Sequence, residues 1–129
     1  MRILFVAISE SIHTARWITQ IADQGWDLHL FPSIDNGLFH PDLRNITVHH
    51  SFYGNPLAHH NSLKLRGIPL ISKAAAYLAR KAVGTYNANY RISQLQYTIK
   101  RLQPDIIHSM EIQAAGYLTM AVKNQLKNN

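Results

Sequence analysis

Hydrophobic residues along the chain follow two spacings that alternate from the N-terminus onward. The unbroken apolar run over residues 3–8 is typical of a strand that a parallel sheet buries on both faces. A polar loop follows at residues 9–13, and apolar residues then recur at helical spacing over residues 14–24, with Gly25 as the predicted C-cap. Because residues 26–31 alternate between apolar and polar, they are predicted to form the second strand of a parallel βαβ unit.

The same two spacings continue through the rest of the chain. Residues 46–49 predict a third strand, residues 50–67 a loop, and residues 105–108 a fourth strand. Two amphipathic helices are predicted before that fourth strand, the first with Pro69 at its start and the second ended by Pro104, and a last helix covers residues 114–126. The alternation favours an α/β fold, a Rossmann-like three-layer sandwich with a central parallel sheet, in one domain over residues 1–129.

Composition narrows the class of protein. The 129 residues are 47% hydrophobic and 16% charged, as expected of a globular domain with its own core. The sequence contains no cysteine, which excludes disulfides and thiolate metal sites. No apolar run approaches the roughly 18 residues that a membrane-spanning helix needs. These features predict a cytoplasmic protein.

The net charge of +6 favours contact with phosphates, nucleic acid or an anionic membrane. Nucleic acid is the poorest of these partners, because the sequence shows no known reading module and no interleaving of aromatic and basic residues. In the first of the two amphipathic helices, the spacing predicts that Lys73, Arg80 and Lys81 face outward and that Ile71 and Leu78 face the core.

Two pairs of adjacent histidines, at positions 49–50 and 59–60, raise the question of a metal site. Adjacent residues of a strand point to opposite faces, so neither pair converges on one ion. The sequence therefore predicts solvated loop histidines, and neither a metal nor a cofactor.

The first loop lacks the glycines that let a backbone approach a pyrophosphate, and its carboxylate would repel one. Dinucleotide binding at this loop is therefore disfavoured. Hydroxyls of a sugar suit its side chains better, since these both donate and accept hydrogen bonds. The candidate acceptor-binding residues are Ser9, Glu10, Ser11 and His13. For the serines, capping of the following helix is an equally good interpretation.

A second candidate pair, His108 and Glu111, lies at the mouth of the fourth strand, on the edge of the sheet where the first loop is expected. A histidine and a carboxylate there could share acid–base work or orient a substrate hydroxyl, as catalytic residues. Alternatively, His108 bonds to backbone and Glu111 is a favourable charge at a helix N-terminus.

Four segments in this order resemble the N-terminal half of family 4 glycosyltransferases, which are retaining enzymes of the GT-B fold: residues 1–6, 11–18, 24–30 and 104–118. The resemblance implies an acceptor-binding domain, with the nucleotide-diphosphate sugar bound by a C-terminal domain outside these 129 residues. Transfer would occur in the cleft between the two domains, without a structural need for a metal. The chain alone is then expected to be inactive.

The resemblance places the first loop on the acceptor side of that cleft, with His108 and Glu111 facing it. Two positions depart from the family pattern: the first loop has no glycine, and Met110 replaces a frequent second histidine. Several such enzymes use lipid-linked acceptors and dock on anionic membranes. The corresponding basic residues are Lys64, Arg66, Lys73, Arg80 and Lys81, although a solvated helix face explains them equally well. The localisation implied is cytoplasmic and peripheral at the inner membrane face.

A different class of function is also open: a stand-alone, non-catalytic Rossmann-like module that binds a glycan, a lipid head group or a protein. A reading frame that continues past Asn129, or a neighbouring gene for a donor domain, would favour the enzyme. A nucleotide-binding oxidoreductase is disfavoured by the glycine-free loop.

Overall fold

The computed structural model describes residues 1–54 and 62–128. Strands and helices follow one another in the order β1 (Arg2–Ala7), α1 (Ile12–Thr19), β2 (Asp27–Pro32), β3 (Ile46–Gly54), β4 (Lys64–Leu70), α2 (Lys73–Val83), α3 (Ala88–Leu102), β5 (Ile106–Ser109) and α4 (Tyr117–Lys127). A single π-helical turn, Ile112–Gly116, precedes α4.

All pairings between these strands are parallel, and the strands lie in the order β4-β3-β2-β1-β5. The predicted α/β, Rossmann-like fold with a central parallel sheet is confirmed. Three successive strands extend the sheet to one side of β1, whereas β5 pairs on the other side. The order of strands therefore reverses between β1 and β5, although all strands run in the same direction, and ligands of open parallel sheets bind at such a reversal point.

The first strand is the centre of the core, as its apolar run predicts. Leu4 and Val6 are fully buried in a cluster with residues of α3 and α4, whereas Phe5 and Ala7 pack on the opposite face with residues of α1. Successive side chains of a strand point to opposite faces, so only a strand covered on both sides needs apolar residues at every position.

The prediction of a loop over residues 50–67 is wrong, because these residues include the end of β3 and the start of β4. The β4 strand lies at the edge of the sheet and is largely exposed, and it contains Gly67 and Pro69, which are typical breakers. Gly67 has φ of 120°, and a Cβ there would lie 2.0 Å from the carbonyl oxygen of His50. An edge strand of this kind carries little of the apolar pattern that identifies a strand.

The first amphipathic helix begins four residues later than predicted. Pro69 lies in β4, and α2 starts at Lys73 with Ser72 as its N-cap, whose Oγ accepts from the amide of Ala75. The helix can approach β3 closely because Gly54 has no side chain: a Cβ there would lie 2.2 Å from the backbone of Ser72.

The orientation predicted for α2 is right for Lys73 and Lys81, which are exposed, but wrong for Ile71, Leu78 and Arg80. The helix buries Ala76 and Arg80, whereas Ile71 and Leu78 are 95% and 64% exposed. Arg80 is held inward because its guanidinium donates to the carbonyl of Phe52 at 2.9 Å. In an alanine-rich helix several faces are apolar enough to pack, so one polar contact can decide the orientation.

The last helix and α1 differ from prediction mainly at their ends: α1 covers residues 12–19 rather than 14–24, and α4 begins at Tyr117 rather than 114. Among the described residues, no helix is both long and apolar enough to cross a membrane.

Candidate functional site

The carboxyl ends of β1, β2 and β5 lie at the reversal point of the sheet, and several polar side chains follow them at this edge. We call this group the edge site and define it as Glu10, His13, Ser33, Asn36 and Glu111. Backbone hydrogen bonds from β1 hold both neighbouring strand ends, since the amide of Ser33 donates to Ala7 at 2.8 Å and that of Met110 to Val6 at 3.0 Å.

Glu111 and Ser33 form the centre of the edge site. The hydroxyl of Ser33 donates a short hydrogen bond to Oε1 of Glu111. Ser33 is 9% exposed and Glu111 is partly exposed, so the carboxylate lies between a buried hydroxyl and solvent. This contact joins the exit of β2 to the exit of β5 across the end of β1.

Glu10 and Asn36 form a second pair on the solvent side of the same edge. The amide of Asn36 donates to Oε1 of Glu10 at 2.7 Å, while its Oδ1 accepts from the backbone amide of Leu38 at 3.0 Å. Glu10 is exposed. The pair presents a carboxylate and an amide to solvent, which can accept from and donate to ligand hydroxyls.

The two serines of the first loop have structural contacts. The hydroxyl of Ser9, which is 1% exposed, donates to the carbonyl of Leu38 at 2.6 Å, and its own carbonyl accepts from the amide of His40 at 2.8 Å. Ser11 is the N-cap of α1 and accepts from the amide of His13. Capping is therefore confirmed for Ser11, whereas Ser9 ties down the loop after β2.

The two histidines predicted for this site lie in different surroundings. His13 is exposed on the first turn of α1. The ring of His108 packs on the α1 face, with centroids 5.6 Å from Phe5 and 5.9 Å from Trp17. Among the described residues, His108 forms no hydrogen bond to Glu111, so the structure places the predicted catalytic pair on one strand end without joining them.

Behind the edge site, the loop after β2 is fixed by a buried ion cluster that the sequence did not reveal. Asp35 is 1% exposed; its Oδ1 lies 2.9 Å from Nδ1 of His50, and its Oδ2 lies 3.7 Å from Nη1 of Arg91 and accepts from the amide of Ser51. Burial alone would raise the pKa of Asp35, but the hydrogen bond and charge of His50, together with Arg91 and the Ser51 amide, hold this pKa below its ordinary value.

A scan against known families decides which kind of protein this site belongs to. The model of a family described as glycosyl transferase 4-like matches residues 2–128. The chain belongs to the glycosyl transferase 4-like family. No curated protein and no solved structure gave a significant match. Membership supports a glycosyltransferase-type function with sugar-type substrates, in agreement with the resemblance drawn from the four sequence segments.

In this glycosyl transferase 4-like domain, the predictions made from the sequence did not include Ser33, Asp35 or Asn36. A signal for them exists: all three come directly after the second predicted strand, and the carboxyl ends of parallel strands share one edge. Asn36 and its partner Glu10 are 26 residues apart in sequence, and Ser33 and its partner Glu111 are 78 residues apart. These contacts therefore leave no local pattern in the sequence.

The prediction of solvated loop histidines is wrong for the first pair. His49 and His50 lie in β3, and His50 is 5% exposed. The second pair, His59 and His60, lies outside the described residues. Among the residues that the structure describes, no group of three or more His, Asp or Glu is placed to bind a metal ion.

The basic residues expected at a membrane divide into three groups in the structure. Lys73 and Lys81 are exposed on α2, and Lys64 and Arg66 are exposed on the edge strand β4. Arg80 is 5% exposed and bonded to the backbone of β3, so the prediction that it faces outward is wrong.

Proposed function

We propose that this domain is the acceptor-binding half of a retaining glycosyltransferase, which transfers a sugar from a nucleotide-diphosphate sugar to a glycan or a lipid-linked acceptor. The observation that carries the proposal is the edge site of a glycosyl transferase 4-like domain, where a carboxylate–hydroxyl pair and a carboxylate–amide pair lie at the reversal point of the sheet. The donor sugar is bound by a second domain, so the 129 residues alone are inactive.

Glu111 is the group proposed to contact the reacting acceptor hydroxyl. A carboxylate has two acceptor oxygens, so Glu111 can hold Ser33 with one and accept a substrate hydroxyl proton or hydrogen bond with the other. Glu10, Ser11, His13 and the loop around Ser9 form the acceptor side, in which Ser9 and Ser11 act by fixing the backbone. His108 is proposed to border the acceptor from the α1 side of β5.

The experiment is a sugar-transfer assay in which a donor domain of the same family is supplied, fused or in trans, with a panel of glycan and lipid-linked acceptors. Glu111→Gln removes the charge but keeps the shape, and we expect transfer to fall by roughly 10²- to 10⁴-fold. The matched control is Asp105→Asn. The carboxylate of Asp105 lies beside the other end of β5, where it accepts a hydrogen bond from the backbone amide of Arg2.

Three outcomes divide the possibilities. Transfer that depends on Glu111 and not on Asp105 supports the proposal. Transfer unchanged by Glu111→Gln removes the site assignment. Saccharide binding without transfer under every donor condition contradicts the enzyme and favours a non-catalytic binding module.

As a second part of the proposal, the exposed side of α2 contacts an anionic membrane, which would give a cytoplasmic protein peripheral at the inner membrane face. Support comes from the residues that share this surface: Ile71, Leu78 and Tyr77 are exposed apolar or aromatic groups, and Lys73 and Lys81 lie beside them. The ammonium group of Lys81 lies 5.3 Å from the ring centroid of Tyr77. Apolar groups of this kind insert while lysines attract the lipid phosphates.

Sedimentation with vesicles of phosphatidylcholine and phosphatidylserine tests this surface. Each lysine near an anionic membrane contributes about 1 kcal/mol, so Lys73→Gln with Lys81→Gln should weaken partitioning roughly 30-fold. The same charge change on α4, Lys123→Gln with Lys127→Gln, is the control. Equal losses in both double variants would show only non-specific attraction and contradict the proposal.

A further inference from the structure

A cleft of about 440 Å³ opens on the sheet between β2–β4 and α3, away from the edge site. Its wall is mainly basic, aromatic and polar, and among the described residues it contains no carboxylate. The residues that carry the argument are His29, His49, Arg66, Arg91, Tyr97 and Arg101.

The charges around this cleft are not balanced. Arg91 is 6% exposed and has Asp35 as its counter-charge at 3.7 Å. Within the described residues, neither Arg66 nor Arg101 forms an ion pair, and positions 55–61 of the sequence contain no acidic residue. Arg101 donates to the hydroxyl of Tyr97, at 3.4 Å. Two guanidinium groups from different elements, β4 and α3, therefore border one cavity, and neither has an anionic partner in the part of the chain that the structure describes.

His29 and His49 in the wall of the cleft form a hydrogen-bonded pair, and the carboxylate of Asp27 contacts His29 from outside the lining. Nε2 of His29 lies 3.0 Å from Oδ1 of Asp27, and its Nδ1 lies 2.9 Å from Nε2 of His49. Asp27 is held in turn by the guanidinium of Arg2 at 2.6 Å. The contact with His29 fixes the imidazole of His49, which lines the same cleft as the two arginines.

The same surroundings disfavour a positive charge on His49. Burial, followed by the charges of His29, Arg66, His50 and Arg101, lowers the pKa of His49 to about 4. His49, Arg66 and Arg101 line the same cavity, and Arg66 lies directly across from His49 in the pairing of β3 with β4.

We propose that this cleft binds the phosphate group of a phosphorylated ligand, held by the guanidinium groups of Arg66 and Arg101 beside the imidazole of His49. Guanidinium groups match the oxygens of phosphate in charge and geometry, and two of them suit a dianion better than a single carboxylate. The cavity is larger than one phosphate, and the exposed ring of Tyr97, with Leu65 and Leu102 in the same wall, provides an apolar contact for the organic part of the ligand.

The proposal is independent of sugar transfer. The cleft lies on a face of the sheet, whereas the edge site lies at the strand ends, and the two share no residue. Binding is measured by calorimetry with three probes: inorganic phosphate, pyrophosphate and phenyl phosphate. We expect phenyl phosphate to bind more tightly than inorganic phosphate because of the aromatic wall. Pyrophosphate binding more tightly than phenyl phosphate would identify a diphosphate ligand instead of a monoester.

Two variants identify the groups that bind. Arg66→Gln and Arg101→Gln each remove one exposed guanidinium, and each should weaken phenyl phosphate binding about tenfold, the usual effect of one charge-assisted hydrogen bond. Arg16→Gln, an equal charge change on the exposed side of α1, should leave the Kd unchanged. Because all three side chains are exposed, the variants are expected to fold, and circular dichroism checks this.

A second readout follows His49 directly. In NMR titrations of the imidazole C–H signals, saturating phosphate should raise the pKa of His49 above about 4, since an adjacent anion stabilises the imidazolium. No binding of any probe at millimolar concentration, equal losses in Arg16→Gln, or a His49 signal that ignores phosphate would each overturn the proposal.

Discussion

The edge site and the basic cleft are both groups of polar side chains beside the same sheet, but they carry opposite charge. The edge site combines Glu10 and Glu111 with a hydroxyl and an amide, whereas the cleft has Arg66 and Arg101 without anionic partners among the described residues. Both depend on parallel strands, one on their carboxyl ends and the other on the face of the outer strands.

The difference in charge separates what each region can bind. Carboxylates accept hydrogen bonds from neutral hydroxyls and repel phosphates, so the edge site suits a sugar acceptor. Unpaired guanidinium groups do the reverse, so the cleft suits an oxyanion. A single ion cluster, Asp35 with His50 and Arg91, lies between the two regions and fixes both the loop of Asn36 and one wall of the cleft.

The largest expected effect comes from breaking that cluster. Asp35→Ala leaves the buried Arg91 without a counter-charge, and we expect the free energy of unfolding at pH 7 to fall by about 3–5 kcal/mol. Urea unfolding measures the loss. Asp42→Ala, an exposed aspartate whose side chain is 65% accessible, is the control and should change stability by less than about 0.5 kcal/mol. Similar values for the two variants would show that the cluster does not join the regions.

The next effect is a pH dependence that belongs to the cleft alone. The pKa of His49 in the folded chain, about 4, lies below its unfolded value of 6.5, so the unfolded chain binds more protons between these values. His49 therefore favours the folded state above pH 6.5, and this contribution, roughly 3 kcal/mol, is lost as the pH falls to 4. In phosphate-free buffer, the free energy of unfolding of His49→Gln should change less steeply with pH between 6.5 and 4 than that of the unmodified chain.

His13→Gln removes an exposed histidine from the edge site and provides the matched control. Its slope between pH 6.5 and 4 should equal that of the unmodified chain. If His49→Gln and the unmodified chain lose stability in parallel, burial and the neighbouring charges do not lower the pKa of His49 as stated.

Asp35 acts over a different pH range. Its pKa is lowered, so its contribution to the stability of the folded state is lost only as the pH falls below about 4.

The smallest effect separates structural from ligand-binding side chains within the first loop. Ser11→Ala removes the N-cap of α1 and should cost about 1 kcal/mol of stability by urea unfolding. Ser11→Asp, which can still cap, should restore most of it. Glu10→Gln should leave stability almost unchanged, because Glu10 is exposed. A Ser11→Ala chain as stable as the original would mean that this serine is available to a ligand.

The centre of the fold could be predicted from sequence because local hydrophobic patterns identify its strands and helices. Only a strand covered on both faces needs an apolar residue at each position from Ile3 to Ala7, and this identified β1 and the parallel sheet. Glu10, His13 and Glu111 were found because they follow strands, and strand ends gather at one edge. Ser33 and Asn36 follow β2 in the same way and could have been found by the same rule.

The outer half of the fold could not be predicted, since long-range contacts determine it. β4 is an exposed edge strand with a glycine and a proline, and α2 faces inward through Arg80, whose partner is the backbone of Phe52. The pairing of Asp35 with His50 and Arg91 joins three elements with no fixed spacing. Buried charges of this kind have no periodicity, so sequence alone gave no indication of the cleft.

The central claim is that the edge site, and not the cleft, binds the sugar acceptor. Its most direct test is a titration of the 15N-labelled domain with a panel of neutral mono- and disaccharides, followed by backbone amide NMR signals. The account predicts shifts at Glu10, Asn36 and Glu111 and none at Arg66 or Arg101. Shifts confined to the cleft, or no response at the edge to any saccharide of the panel, would contradict it.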